Sequence, residues 1–139
     1  MLSALDISTS GLVAQRARMN AISSNLANLS TVVNESGEAE PYQPRFVVFQ
    51  TDTSVGNNGA AGVRVASVET SQVEPLWKYQ PGHPAAQKDG PRAGYVAYPN
   101  INMMTEFTDA LEAARSYEAN LGAMEITKDM AQQTLRILV

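Results

Sequence analysis

The chain has 139 residues, fourteen acidic against ten basic for a net charge of −4, a single histidine and no cysteine. The basic residues are scattered, which argues against a nucleic-acid surface, and the missing thiols remove disulfides, thiolate metal sites and cysteine nucleophiles. No apolar stretch reaches the roughly 18 residues of a membrane span, and no basic region precedes an apolar core at the N-terminus, so neither direct membrane insertion nor a cleaved signal peptide is expected.

The first element is a helix predicted over Leu2 to Leu29. Leu5, Leu12, Met19 and Leu26 fall seven residues apart, with Ile22 and Leu29 three residues beyond the last two. That spacing makes one apolar stripe on a helix. Ser8, Thr9, Ser10, Gly11, Ser23, Ser24 and Asn25 are poor helix formers, so the helix should be frayed in an isolated monomer and ordered by contact with partners. Asn20, Asn25 and Asn28 put amides beside the stripe, where they either set register by hydrogen bonding or face water. Gly11 and Gly122 either allow close helix approach or are merely tolerated.

Helical periodicity stops between Thr31 and Pro44, a loop by composition. The β-branched and aromatic run Phe46 to Phe49 and the run Val63 to Val65 read as a hairpin around Gly56, Asn57, Asn58 and Gly59. Val73, Pro75, Trp77 and Tyr79 alternate as a third extended piece, with Pro75 favouring an edge. After a Pro- and Gly-rich loop, Tyr95 to Tyr98 forms a fourth short strand that Pro99 ends. Trp77 and Tyr79 are expected to fill the core of this small β unit.

A second helix is expected to start near Asn102 or Thr105, with Glu106, Asp109 and Glu112 at its positive end and Arg136 in its last turn. From Met103 to Val139 it would span roughly 55 Å. Phe107, Ala110, Ala114, Tyr117, Leu121, Met124, Ala131, Leu135 and Leu138 recur at alternating three- and four-residue steps, interrupted only by Lys128. A stripe of that length presses against another helix, and the N-terminal helix is the nearest candidate. The expected fold class is therefore α+β: two long terminal helices paired as a coiled coil around a small β-rich centre, divided as 1–34, 35–101 and 102–139.

Reaction chemistry is hard to find. His83 has no cysteine or second histidine to work with, and Gly56 to Gly62 lacks the Gly-Lys-Ser/Thr ending of a phosphate loop. Most carboxylates sit in loops or on the outer face of the second helix. No catalytic residue, cofactor or metal is expected. The residues expected to act are an assembly interface: Leu5, Leu12, Met19, Asn20, Ile22, Asn25, Leu26, Asn28 and Leu29 on the first helix, and Phe107, Leu111, Ala114, Tyr117, Asn120, Leu121, Met124, Leu135 and Leu138 on the second.

The run Asn20-Ala21-Ile22-Ser23-Ser24-Asn25-Leu26-Ala27-Asn28 resembles the N-terminal signature of bacterial flagellar rod and hook proteins. Leu5-Asp6-Ile7-Ser8 with Ser10-Gly11-Leu12 resembles that family's opening, and Ser116-Tyr117-Glu118-Ala119-Asn120 with Met124 its C-terminal helix. Pro81-Gly82-His83-Pro84, Gly94-Tyr95-Val96 and Pro99-Asn100-Ile101-Asn102 are similar to its proximal-rod members. Leu29-Ser30 and Gly90-Pro91-Arg92-Ala93 depart from the pattern, both in connecting segments. The resemblance implies a structural subunit of the periplasmic rod of the basal body, which transmits motor torque. Its implied partners are copies of itself, other rod proteins, the membrane-ring or adaptor protein at the rod base and, during secretion, the flagellar type III export apparatus. Competing readings are a non-flagellar coiled-coil scaffold or adaptor, distinguished by a stable, fully helical dimer, and a small hydrolase, distinguished by a substrate screen.

Overall fold

A computed structural model describes residues 2–56 and 59–137. It places helix α1 at Leu2–Ala27, strands β1 at Arg45–Asp52, β2 at Gly62–Thr70, β3 at Leu76–Tyr79 and β4 at Tyr95–Tyr98, and helix α2 at Met103–Ile137. Leu138 lies outside the described residues, so its place in the expected stripe stays an expectation.

α1 ends two residues earlier than its periodicity suggests, because the Asn28 side chain takes over the helix's work. Its Nδ2 donates to Ser24 O at 2.9 Å while the Thr31 hydroxyl donates to Asn28 Oδ1 at 3.0 Å. A side-chain amide thus satisfies a last-turn carbonyl that the helix leaves open. α2 opens on the expected cap: Asn102 Oδ1 accepts the backbone N–H groups of Met104 at 3.0 Å and Thr105 at 3.4 Å.

β1 and β2 form an antiparallel hairpin running from Arg45↔Thr70 to Asp52↔Gly62. Ala66 has no partner, since Val48 pairs with Ser67 and Phe49 with Val65. This bulge adds local twist to a two-stranded ribbon. At the end of β1, the Asp52 carboxylate accepts the Ser54 hydroxyl and amide, which hold its carboxyl below the usual carboxylate range.

The hairpin lies on α1, and the weak helical stretch is where it lands. Ser10 Oγ donates to Ile7 O at 2.6 Å and accepts the Val63 N–H at 3.1 Å. A Cβ on Gly62 would sit 2.7 Å from that same oxygen. Ser10 and Gly11, which weaken α1 in isolation, are residues that the strand and the second helix approach closely.

β3 and β4 make a separate two-stranded ladder, Leu76↔Tyr98 to Tyr79↔Tyr95. The middle is therefore not one β unit, because none of the four strands bridges the two pairs. Among the described residues, neither β3 nor β4 packs directly on a helix or on the hairpin. The loop after α1 fastens the ladder by setting Val32 against Val96, and the segments flanking it are tied by Asn100 Nδ2 donating to Glu74 O at 3.1 Å. Its small core is Val96 with Val32 and Ala85, flanked by Ala86 and Tyr98. Tyr79 departs from the core expectation. It is exposed, edge-on to Tyr95 at 5.2 Å, while Trp77 is half-buried under the Arg92 guanidinium at 4.3 Å. A two-strand ladder without a second layer cannot cover both faces. Pro75 sits just before β3 rather than within it. His83 lies in the loop, its Nδ1 accepting the Ala85 N–H at 3.1 Å.

Candidate assembly surface

The two helices run antiparallel. Asn25 near the end of α1 reaches Glu106 at the start of α2, Arg18 reaches Asp109 and Glu112, Gly11 lies beside Asn120, and Thr9 touches Met124. On α2 the shielded row is Glu106, Ala110, Ala113, Tyr117, Asn120, Met124, Thr127 and Ala131. The steps are four, three, four, three throughout, a heptad spacing.

That row is not the one the apolar pattern predicts. Ala110, Tyr117, Met124 and Ala131 belong to both, but Ala113 and Asn120 are shielded where Ala114 and Leu121 were expected, and Glu106 where Phe107 was expected. Phe107 is 50% exposed, Leu121 44% and Leu111 61%, and Leu135 is exposed as well. Ala114 is half-buried on the flank. Lys128 interrupts nothing, because Thr127 takes the inward place. The cause is close approach: a Cβ built on Gly11 would come within 2.9 Å of both Asn120 side-chain amide atoms. Helices that near each other accept Ala, Asn and Thr between them and turn Phe and Leu outward.

This fit predicts that Gly11→Leu wedges the pair apart, lowering stability by about 1–3 kcal/mol as overpacking does. Thermal unfolding followed by circular dichroism checks it, with Gly11→Ala as the mild control because a single Cβ asks only the end of the Asn120 side chain to shift. An unshifted Gly11→Leu midpoint would refute the close-packed contact.

On α1 the expected residues are less displaced. Leu5, Leu12, Met19, Leu26 and Leu29 are half-buried and Ile22 is buried, while Ala14 and Ala21 supply a small-residue face that is fully covered. The asparagines separate. Asn20 is exposed, Asn28 caps the helix, and Asn25 is 3% exposed.

Asn25 joins four segments. Its Oδ1 accepts the Arg45 N–H at 2.8 Å and the Tyr42 hydroxyl at 3.2 Å, and its Nδ2 donates to Arg45 O at 2.8 Å and to the Glu106 carboxylate at 3.2 Å. The amide thus pairs with the first residue of β1 as a neighbouring strand would, and ties α1 to the following loop, the hairpin and α2. All four of its hydrogen-bonding positions are used.

Three residue sets escaped the sequence reading. Arg18, half-buried between Asp109 at 3.8 Å and Glu112 at 3.5 Å, clamps the helices. Tyr42, Arg45 and Glu106 complete the Asn25 network. Met103, Met104, Ile126, Met130 and Ile137 add to the exposed apolar surface of α2. Their apolar character was legible, but not which side they face. Among the described residues, no group of three or more His, Cys, Asp or Glu is placed to hold a metal ion, and no helix is long and apolar enough to cross a membrane.

The outward side chains leave a large surface. The accessible area is 9495 Å², against about 7,000 Å² for a compact monomer of this mass. Among the described residues, nine of the seventeen large apolar side chains that stand exposed belong to α2, which makes that helix the principal uncovered element.

Two family descriptions match the two ends of the chain: "Flagella basal body rod protein" over residues 5–32 and "Flagellar basal body rod FlgEFG protein C-terminal" over residues 92–137. The chain is 39% identical to the flagellar basal-body rod protein FlgC of Salmonella typhimurium over 137 residues, covering 99% of this chain and 97% of that one. It is 33% identical to FlgC of Borreliella burgdorferi, covering 99% and 97%. To FlgC of Bacillus subtilis it is 35% identical, covering 96% and 95%.

Proposed function

Because the chain belongs to the FlgC family of flagellar basal-body rod proteins and is a structural subunit of the proximal rod, we propose that it is built into the drive shaft through the outward face of α2 and the uncovered side of α1. The observation that carries this reading is the inversion of the helix pair. Apart from Tyr117 and Met124, small and polar residues of α2 face inward, while Phe107, Leu111 and Leu121 face out on a chain with surplus surface. Adjoining copies and other rod subunits cover that face. Contacts between unlike faces extend into open helical arrays, which is what a shaft requires.

On this reading α1 and α2 pair in coiled-coil fashion, 1–34 and 102–139 form the shaft layer, and 35–101 is the outer β part. The subunit lies in the periplasmic segment of the rod, meets the membrane-ring or adaptor protein at the rod base, and catalyses no reaction. It leaves the cytoplasm through the flagellar export apparatus. Export favours a chain whose helices are weak alone: the dilute monomer should show markedly less helical circular dichroism than α1 and α2 give when formed, rising on assembly. Full helicity in the dilute monomer would contradict this. The decisive experiment is gene deletion followed by electron microscopy of basal bodies. The rod should be missing and swimming lost, and intact rods in the deletion strain would sink the assignment.

A further inference from the structure

Two surfaces of the helix pair stay uncovered, and they differ in kind. The outer face of α2 carries Phe107, Leu111 and Glu118, all exposed. On α1, positions 6, 9, 13, 16, 20, 23 and 27 are all exposed in unbroken three-four spacing, and only Asp6 and Arg16 among them are charged. Exposed helix faces are ordinarily dominated by charged residues. The ion pairs among the described residues engage Arg18 and Arg92, leaving Arg16 on α1 and both Glu118 and Glu125 on the outer face of α2 without an oppositely charged partner; of the two glutamates, only Glu118 opposite Arg16 keeps Phe107 and Leu111 over α1.

We propose that the outer face of α2 docks onto the exposed face of α1 in a second copy of the chain, with Glu118 paired to Arg16. The inference rests on the rod-subunit reading above. Copies standing in the same direction around an axis bring α2 of one antiparallel to α1 of the next. In that orientation the Glu118–Arg16 pair fixes the register. Leu111 then lies over Ser23, and Phe107 over Ala27, so each bulky side chain meets a small one.

The register also fixes height. Within one copy Arg18 reaches Glu112 and Gly11 lies beside Asn120. The pair between copies is offset from that alignment by only a few residues, on the order of 5 Å along the axis. Neighbours therefore stand side by side rather than end to end. Each copy offers one face of each kind, so the contact repeats around a ring or a shallow helix. Two such half-interfaces at about 800 Å² each fit within the surplus accessible area.

The absence of cysteine makes the test direct. A Ser23→Cys/Leu111→Cys double variant, oxidised in assembled rods of swimming cells, should yield disulfide-linked dimers and longer chains of the subunit, while either single substitution yields none. Rods that assemble and support swimming but give only monomer-sized protein overturn the inference and leave the rod assignment standing. Should the double variant fail to assemble, charge exchange decides: Arg16→Glu and Glu118→Arg each cut rod incorporation about tenfold, and co-expression of the two single variants restores it. Lack of rescue on co-expression overturns the proposal, because a pair within one copy gains nothing from mixing.

Discussion

Leu121→Asp, and equally Leu135→Asp, abolishes swimming and rod incorporation while the purified subunit stays as folded as the parent. Leu121 is 44% exposed in the single chain, so a carboxylate there changes folding stability by no more than about 0.5 kcal/mol. Covered by a neighbouring subunit, the same carboxylate is buried without a partner, which costs about 3–5 kcal/mol. The penalty recurs at every copy, so the assembly multiplies it. Swimming in soft agar, electron microscopy of basal bodies, and circular dichroism of the purified chain measure the three quantities separately. Normal swimming by either variant contradicts assembly through this face. An unfolded purified variant would instead mean that the side chain belongs to the subunit's own core.

The second large effect is at Asn25. Asn25→Ala removes both partners of the Arg45 backbone and the Tyr42 and Glu106 bonds in one step, for a loss of about 2–4 kcal/mol at roughly 1 kcal/mol per bond. Asn25→Asp keeps the acceptors but loses the donors and sets a second carboxylate against Glu106. At neutral pH it should be the worse of the two. Its sign with pH is determinate. Burial and the adjacent carboxylate raise the folded-state pKa of the new Asp above the unfolded value of about 3.9. The charged form is therefore the destabilised one, and stability recovers as pH falls through the raised value, where the carboxyl binds a proton. Thermal midpoints at neutral and mildly acidic pH should converge toward the parent for Asn25→Asp and stay parallel to it for Asn25→Ala. Equal pH profiles would show that the Glu106 contact is not felt.

Much of this architecture can be read from local chemistry. The fourth strand occupies Tyr95–Tyr98 as its aromatic and β-branched run between Gly94 and Pro99 suggests, and α2 starts where Asn102 can cap it. The helical periodicity of both ends is visible for the same reason, since side-chain spacing is a property of one element. What fails is the assignment of a face to a partner. The alternation through Phe107, Ala114 and Leu121 identifies a real apolar ridge, but periodicity cannot say whether the chain's own helix or another molecule covers it. The inward row through Ala113, Asn120 and Thr127 does not stand out as a seam because Glu106, Asn120 and Thr127 interrupt it and three of its apolar members are alanines.

Asn25 illustrates the other limit. Nothing local distinguishes it from Asn20 or Ser23, both of which are exposed. Its burial depends on Arg45, twenty positions away, and on Glu106, eighty-one away, contacts that exist only once hairpin and helices meet. The split of the middle into two ladders is equally non-local. The β3–β4 ladder packs its Val96 on Val32, sixty-four positions away, a contact that no local pattern announces.

The inverted helix pair has a thermal corollary. Burial of apolar surface is what gives protein association its negative heat-capacity change and makes it weaken on cooling. A pair whose inward row on α2 holds only Tyr117 and Met124 as large apolar side chains, among Ala, Asn, Thr and Glu, contributes less of that signature when one chain folds. If the Phe107–Leu121 ridge is covered only on joining a neighbour, the heat-capacity change belongs to polymerisation, and chilling loosens the joints between subunits more than it loosens any subunit.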